Sequence, residues 1–350
     1  MPTICYIHKD IGNIDRGGLC VLFKTLAQGM RNMGWKTSCV TTQELSIDGI
    51  TTFKLPKEKD PHKHSKRVTK IIEKENFDIV ESSNWRFELL DYTTKYPKPQ
   101  RQSKVVVRCD PPAATLFPNM HKYSKYEKIL CQKADKLIAV SKFAQETIRK
   151  KYNIKKITVI HNGIDPVNQK LLSSTTNCKV VKPDKINIFW VGKTTKMKGF
   201  DYLEKIVLNS PDNFFFIINI GHSVQEVRWS QQTLKRENHV FVQDLSKNDQ
   251  LAIWSNCHVF VSTSRVEGFG IAVTEALSLG LPAIINKDCR AYSEFKGISG
   301  VTLEDVTNIK KLYTAIVKSS SKRYKINNLP KKLTSKEMVQ KSIKIYQSLL

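Results

Sequence analysis

Short, continuously apolar runs that alternate with stretches of helical spacing limit what this chain can fold into more than any other feature. The runs are Ile4 to Ile7, Ser38 to Thr41, Ile79 to Val80, Val105 to Val107, Leu137 to Val140 and Thr158 to Ile160. Between several of them lie spacings such as Leu22, Leu26, Met30 and Met33, or Phe143, Thr147 and Lys150. A strand that is apolar on both faces needs cover on both, and helices crossing over a parallel sheet supply it. The pattern predicts an α/β architecture built on parallel sheets.

The pattern then pauses and starts again. Pro166 to Lys185 is polar and turn-rich, which reads as a linker. Apolar runs resume at Ile186 to Val191, Phe214 to Ile220, Val240 to Val242, Val259 to Val261 and Ala283 to Ile285. With 350 residues the chain has room for two domains of roughly 100–200 residues each. The expectation is a first domain over 1–166, a linker over 167–185, a second domain over 186–330 and a terminal helix over 331–350. In the last segment Thr334 and Glu337 stand in capping-box spacing. Behind them Met338, Val339, Ile343, Tyr346 and Leu350 recur at helical intervals.

Composition narrows the class. Hydrophobic residues at 40% and charged residues at 25% exclude a largely disordered chain or a fibrous repeat. Lys+Arg 57 against Asp+Glu 32 leaves +25, which predicts attraction to polyanions: nucleic acid, anionic lipid or a phosphate-rich polymer. The eight cysteines are scattered, without a Cys-x-x-Cys pair and without His at zinc spacing. Reduced thiols are expected, and no metal site is. The first residues are far too short a run for a signal-peptide core, and nothing approaches the ~20 apolar residues that span a bilayer. A cytoplasmic protein with at most peripheral membrane contact, at the inner face, is the expectation.

Chemistry concentrates in Ser262 to Pro282. An apolar strand ends, Gly268 and Gly270 form a Gly-x-Gly turn, and a helix starts near Ile271 with Glu275 in its early turns. Ligands of open parallel sheets bind at the carboxyl ends of strands, and N–H groups at a helix start favour phosphate. Two carboxylates, Glu267 and Glu275, flank that position, and carboxylates accept hydrogen bonds from sugar hydroxyls. The combination points to a sugar nucleotide. The plainer alternative is that Glu275 only offsets the helix dipole and Glu267 is a loop acid. Two lookalikes fail: Gly192-Lys193-Thr194 lacks the earlier glycine of a P-loop, since position 187 is Asn, and the first strand is not followed by Gly-x-Gly-x-x-Gly. The histidines lie in different segments, apart from His62 and His64 in a basic loop. His8, just after the first strand, is the one placed near a presumed cleft.

In these residues the sequence resembles the retaining, nucleotide-sugar-dependent glycosyltransferases of family 4, which have the GT-B fold of two facing Rossmann-like domains. The family's Glu-x7-Glu signature stands as Glu267 to Glu275. Further landmarks follow in order: Asp15-Arg16-Gly17-Gly18 before a helix, Gly34-Trp35-Lys36-Thr37, Ala134-Asp135 through Val140-Ser141, Val159 to Asp165, and Val191-Gly192-Lys193 with Lys198-Gly199. The resemblance spans nearly the whole chain. It implies a terminal helix crossing back to the N-terminal domain, which receives the acceptor.

The resemblance also implies roles. Glu275 would bind the ribose hydroxyls and Glu267 those of the donor sugar. Backbone N–H groups of Phe269, Gly270 and Ile271, with the loop of Gly17 and Gly18, would meet the donor. Lys193 and Lys198 would neutralise the departing diphosphate in place of a metal ion. No cofactor is implied beyond the nucleoside diphosphate sugar, with UDP-hexose favoured. Two positions depart from the family pattern. Lys193 stands where Arg is usual, a point charge without the bidentate fork. In Arg108-Cys109-Asp110-Pro111-Pro112, Asp110 stands where His is usual. It either meets a donor-sugar or acceptor hydroxyl or caps a turn.

Basic residues cluster at Lys54 to Lys74, Lys95 to Lys156 and Lys310 to Lys344. Lys122, Tyr123, Lys125, Tyr126 and Lys128 interleave cations with aromatics, which suits an anionic headgroup layer into which Tyr inserts. The same interleaving suits a nucleic-acid backbone, or is a solvated face only. The reading is a retaining hexosyltransferase acting on a lipid-linked or polymeric bacterial surface glycan. The alternatives are glycosylation of modified DNA or a small metabolite, and an inactive polyanion-binding protein of the same fold.

Overall fold

The computed structural model describes residues 1–12, 18–168, 180–220, 227–243, 245 and 247–350. Residues 169–179 of the expected linker, Gly17 of the Gly-Gly loop, His222 and Cys178 lie outside the described residues. The chain forms two compact units, Met1–Asp165 with Lys331–Leu350, and Pro166–Pro330.

The first unit carries β1 (Thr3–Ile7), β2 (Lys36–Thr41), β3 (Thr51–Lys54), β4 (Ile79–Ser83), β5 (Lys104–Cys109), β6 (Lys136–Ala139) and β7 (Thr158–Val159). They form one parallel sheet in the order β3-β2-β1-β4-β5-β6-β7. The order changes direction between β1 and β4, so the crevice outside their carboxyl ends is the natural ligand position of this sheet. Strand β3 escaped the sequence reading because Thr-Thr-Phe-Lys is an edge strand with exposed ends, and an edge needs no apolar run.

The terminal helix Ser335–Gln347 belongs to this first unit, as expected. Thr334 caps it, its hydroxyl accepting from the Glu337 N–H at 3.3 Å. Met338, Val339, Ile343 and Tyr346 share a core with Leu22, Leu26 and Met30 of the helix Gly18–Asn32. A fully buried polar network joins this helix to the sheet. Arg108 Nε donates to Glu81 Oε1 at 2.7 Å and Arg108 Nη2 to Ser342 Oγ at 3.0 Å. Tyr346 donates to Glu81 Oε2, and the Tyr346 and Tyr6 hydroxyls lie 3.2 Å apart.

The second unit carries β8 (Ile186–Val191), β9 (Phe214–Asn219), β10 (His239–Val242), β11 (Val259–Ser262), β12 (Ala283–Asn286) and β13 (Val301–Glu304). They form a second parallel sheet in the order β10-β9-β8-β11-β12-β13. Its direction changes between β8 and β11. Strand β13 lies at the far edge and is half-buried throughout, so it too lacks the apolar signal. Ile188, Trp190, Phe214, Phe216, Val259 and Ile284 centre the core.

The seven described cysteines are free and buried. Among the described residues no helix is long and apolar enough to cross a membrane.

Candidate active site

The site is built at the carboxyl ends of β8 and β11, where the second sheet changes direction. After Val191 the chain passes through Gly192 and the exposed Lys193 into a single 3-10 turn, Lys196–Lys198. Gly199 ends that turn at φ +67°, and a Cβ there would stand 2.0 Å from the Thr263 carbonyl oxygen. Only glycine lets the turn lie directly on the chain leaving β11. Thr263 locks the approach, donating to the Lys198 carbonyl at 2.9 Å and accepting from the Trp190 indole at 3.0 Å. The consequence is an ion pair between residues 69 positions apart: Lys198 Nζ lies 2.6 Å from Glu267 Oε1.

Glu267 is held from its other side as well. The Ser264 hydroxyl donates to the same oxygen at 2.7 Å, and the Tyr292 hydroxyl lies 3.5 Å from it. Tyr292 in turn shares a 2.6 Å hydrogen bond with Ser262. Burial and then the neighbouring Glu267 charge push the Tyr292 phenol well above its ordinary range, so it stays a neutral hydrogen-bonding group. With side-chain exposures of 23% and 16%, Lys198 and Glu267 are sheltered but open on one side.

A second pair braces the loop. Arg265 binds both Asp201 carboxylate oxygens, at 2.6 and 2.7 Å, with its guanidinium 3.6 Å from the Tyr202 ring centroid. The hydrogen bonds from Arg265 hold the Asp201 carboxyl below its usual range. Because the Arg265 N–H also bonds the Met197 carbonyl at 2.9 Å, the loop bearing Glu267 and the turn bearing Lys198 move as one piece. Sequence reasoning missed Arg265, Ser264 and Tyr292. Arg265 and Ser264 stand beside Glu267 in the chain, but the partners that give the braces meaning, Asp201 and Tyr292, are distant in sequence.

Beyond Glu267 the chain turns at Gly270, φ +115°, where a Cβ would meet the Tyr292 ring at 2.8 Å. The helix Ile271–Ser278 starts there, as the sequence predicts. Phe269 is buried against Phe295, ring centroids 5.4 Å apart, which fixes the backbone leading into the first helical turn. The N–H groups of that turn carry the positive end of the helix dipole. Glu275 is half-buried one turn further along. The fold thus brings Lys193, Lys198, Glu267, Phe269, Gly270, Ile271 and Glu275 to one edge of the second unit. Cations, helix amides and two carboxylates there can engage a diphosphate and the hydroxyls on either side of it. Among the described residues no three metal-ligating side chains converge.

The other predicted residues belong to the first unit. Gly18 is the first residue of the helix Gly18–Asn32. Asp110 follows β5 and is half-buried. Its N–H donates to Asn84 Oδ1 at 2.9 Å, and its carbonyl accepts from Asn84 Nδ2 at 3.3 Å. Its neighbour Arg108, part of the same landmark, is wholly buried and serves the terminal helix. His8 is buried too, its ring stacked on Phe23 and its Nδ1 accepting from the Asp10 N–H at 3.2 Å; burial lowers its pKa.

One expectation needs correction. Lys122, Lys125 and Lys128 are exposed, but Tyr123 and Tyr126 are half-buried and pack on Phe87, with ring centroids 5.8 and 5.2 Å away. Tyr126 also meets His62 edge-on at 4.4 Å. These rings belong to the body of the unit and are not free to insert into a membrane. The cations alone form the outer face.

Comparison with known proteins follows the same division. Residues 177–332 match the family model "Glycosyl transferases group 1", and residues 16–168 match "Glycosyltransferase Family 4". The chain is 26% identical over 235 residues to an "Uncharacterized 41.2 kDa protein in cps region" of Klebsiella pneumoniae, the match covering 65% of each chain, just under two thirds of that relative's length. It is 27% identical over 184 residues to the Escherichia coli UDP-Gal:alpha-D-GlcNAc-diphosphoundecaprenol alpha-1,3-galactosyltransferase, covering 47% of this chain and 45% of that one. Among solved structures, sucrose-phosphate synthase from Thermosynechococcus elongatus superposes with a TM-score of 0.80 at 14% identity, covering 100% of this chain and 99% of the other.

Proposed function

Because the chain belongs to the GT-B-fold glycosyltransferases related to family 4 and group 1, we propose that it transfers a hexose, with retention, from a nucleoside diphosphate sugar to a surface-glycan acceptor. UDP-hexose is the favoured donor and a lipid-linked or polymeric glycan the favoured acceptor. The observation that carries the reading is the Lys198–Glu267 pair set beside the start of the helix Ile271–Ser278. The relatives lend support: one takes UDP-galactose to a diphosphoundecaprenol-linked sugar and another lies in a cps region.

In this reading Glu275 accepts from the ribose hydroxyls and Glu267 from the donor sugar, while Lys193, Lys198 and the amides of Phe269, Gly270 and Ile271 face the diphosphate. Gly17 and Gly18 are assigned to donor binding, and Asp110 to a sugar or acceptor hydroxyl. The acceptor hydroxyl oxygen bonds to the anomeric carbon as the bond from that carbon to the diphosphate oxygen breaks. The hydroxyl proton passes to the departing phosphate. Negative charge grows on the diphosphate along this path, so fixed cations and amides stabilise the transition state more than the ground state.

The experiment is a panel of nucleotide sugars read by thermal shift and by release of the nucleoside diphosphate. One sugar nucleotide should raise the melting temperature and be turned over; a flat panel sinks the proposal. Activity should survive EDTA, because lysines and amides take the electrostatic role of a metal. Complete loss on chelation, restored by magnesium, would assign the diphosphate to a different kind of partner.

The exposed cations of the first unit fit peripheral docking on anionic membrane, each contributing about 1 kcal/mol near the surface. Replacing Lys122, Lys125 and Lys128 together by Glu should abolish binding to phosphatidylglycerol vesicles and leave activity on a short soluble acceptor intact. Vesicle binding by the parent should weaken steeply with salt. If the triple variant floats with the vesicles as the parent does, these lysines are not the docking face.

A further inference from the structure

The first sheet also changes direction, between β1 and β4, and the turn leaving β4 carries an unusual residue. Arg86 sits at φ 60°, ψ 0°, and Phe87 follows at φ 42°. Two successive non-glycine residues in the left-handed region are strained and persist only where the surroundings dictate them. Here Asn84, Phe87 and Glu88 on the same turn are each held in place. Asn84 is buried and bonded to both the N–H and the carbonyl of Asp110. The Phe87 ring is buried under Tyr123 and Tyr126.

Glu88 is buried as well. Its Oε1 accepts from the Lys9 N–H at 2.9 Å and faces His64 Nε2 at 3.2 Å. Burial alone would raise the Glu88 carboxyl. The hydrogen bond with His64 and the nearby imidazoles outweigh it and hold the acid below its usual range. Glu88 therefore ties the β4 turn to the end of β1, and Asn84 ties it to the end of β5. Arg86 is the charged side chain of this turn that is left over. It is half-buried, and among the described residues its guanidinium has neither a hydrogen bond nor an ion pair.

We propose that Arg86 recognises a phosphate group carried by the acceptor, making the β1–β4 switch point an anion subsite of the first unit, on the turn whose Asn84 holds Asp110. The inference rests on the glycosyltransferase reading for the word acceptor. The position follows the general rule for open parallel sheets. A guanidinium suits phosphate because its fork matches two phosphate oxygens. The favoured source of that phosphate is the diphosphate of a lipid-linked acceptor; a phosphate on a polymeric glycan is the other.

The test uses Arg86→Gly, which removes the guanidinium while accepting φ 60° without strain, so the fold should be as stable as the parent or more so. With the protein saturated with UDP, inorganic pyrophosphate should bind the parent in calorimetry, and Arg86→Gly should weaken that binding about tenfold or more. Arg86→Lys should recover part of it. KM for an alkyl diphosphate-linked sugar should rise by a similar factor, whereas KM for the alkyl glycoside without phosphate should not change. A sugar-6-phosphate glycoside that shows the larger effect would identify the phosphorylated glycan as the source.

Equal pyrophosphate binding by parent and Arg86→Gly overturns the inference. So does an equal KM rise on phosphorylated and neutral acceptors. If UDP itself fails to bind, the donor reading fails instead, and pyrophosphate titrated alone still decides for or against the Arg86 anion site.

Discussion

Replacing Glu267 with Ala should lower turnover with the intact nucleotide sugar by about a hundredfold while leaving the affinity for free UDP nearly unchanged. Glu275→Ala should do the opposite, weakening UDP about tenfold or more, since a hydrogen bond to a charged group is worth about 1.5–3 kcal/mol. The division follows from position: Glu267 stands on the loop with Lys198 at 2.6 Å, and Glu275 stands one turn inside the helix. Lys198→Ala should match Glu267→Ala in scale, because each removal leaves the other's sheltered charge without its partner. The double variant should therefore lose much less than the product of the two single losses. Calorimetry with UDP and steady-state kinetics with the intact donor settle the matter. Equal loss of UDP binding in Glu267→Ala and Glu275→Ala would show the two acids misassigned, and full multiplicativity would show that the ion pair does not act as a unit.

Glu81→Ala should be among the most damaging substitutions in the first unit, although Glu81 touches no part of the candidate site. It would strand the Arg108 guanidinium at 0% exposure and leave the Tyr346 hydroxyl with only Tyr6. Breaking a buried pair by removing one partner costs about 3–5 kcal/mol, a large fraction of a domain's stability. Burial and the Glu81 charge act on Arg108 in opposite directions. The carboxylate prevails and holds the guanidinium above its usual range, so Arg108 keeps its charge throughout the working pH range. Replacing both residues with apolar ones of similar volume should be far milder than either single change. Urea unfolding followed by the fluorescence of Trp35, which packs on Tyr346 at 5.9 Å, with the other four tryptophans replaced by Phe in parent and variant alike, reads the relevant region. A Glu81→Ala midpoint equal to that of the parent would mean that the network does not hold the terminal helix.

What the chain declared by itself were its local periodicities. Continuous apolar runs marked the strands that are covered on both faces, and the Thr334–Glu337 spacing marked the cap of the last helix. The Gly-x-Gly turn at Gly268 and Gly270, between Glu267 and the helix at Ile271, was legible for the same reason: each element depends on residues a few positions apart. Edge strands β3 and β13 were silent because an edge needs no apolar run.

Only the tertiary structure decided what those residues meet. Lys198 finds Glu267 because β8 and β11 are neighbours in the sheet and Gly199 lets two backbones touch, and neither condition has a local signature. Arg108 belongs to the core, not to the chemistry, because Glu81 and Ser342 surround it from 27 residues before and 234 residues after. Tyr123 and Tyr126 turn inward because Phe87 gives them an apolar surface to cover. Burial, ion pairing and the left-handed turn at Arg86 are properties of the neighbours a side chain acquires. Strand order brings those neighbours from distant parts of the chain, which is why no spacing in the sequence carries them.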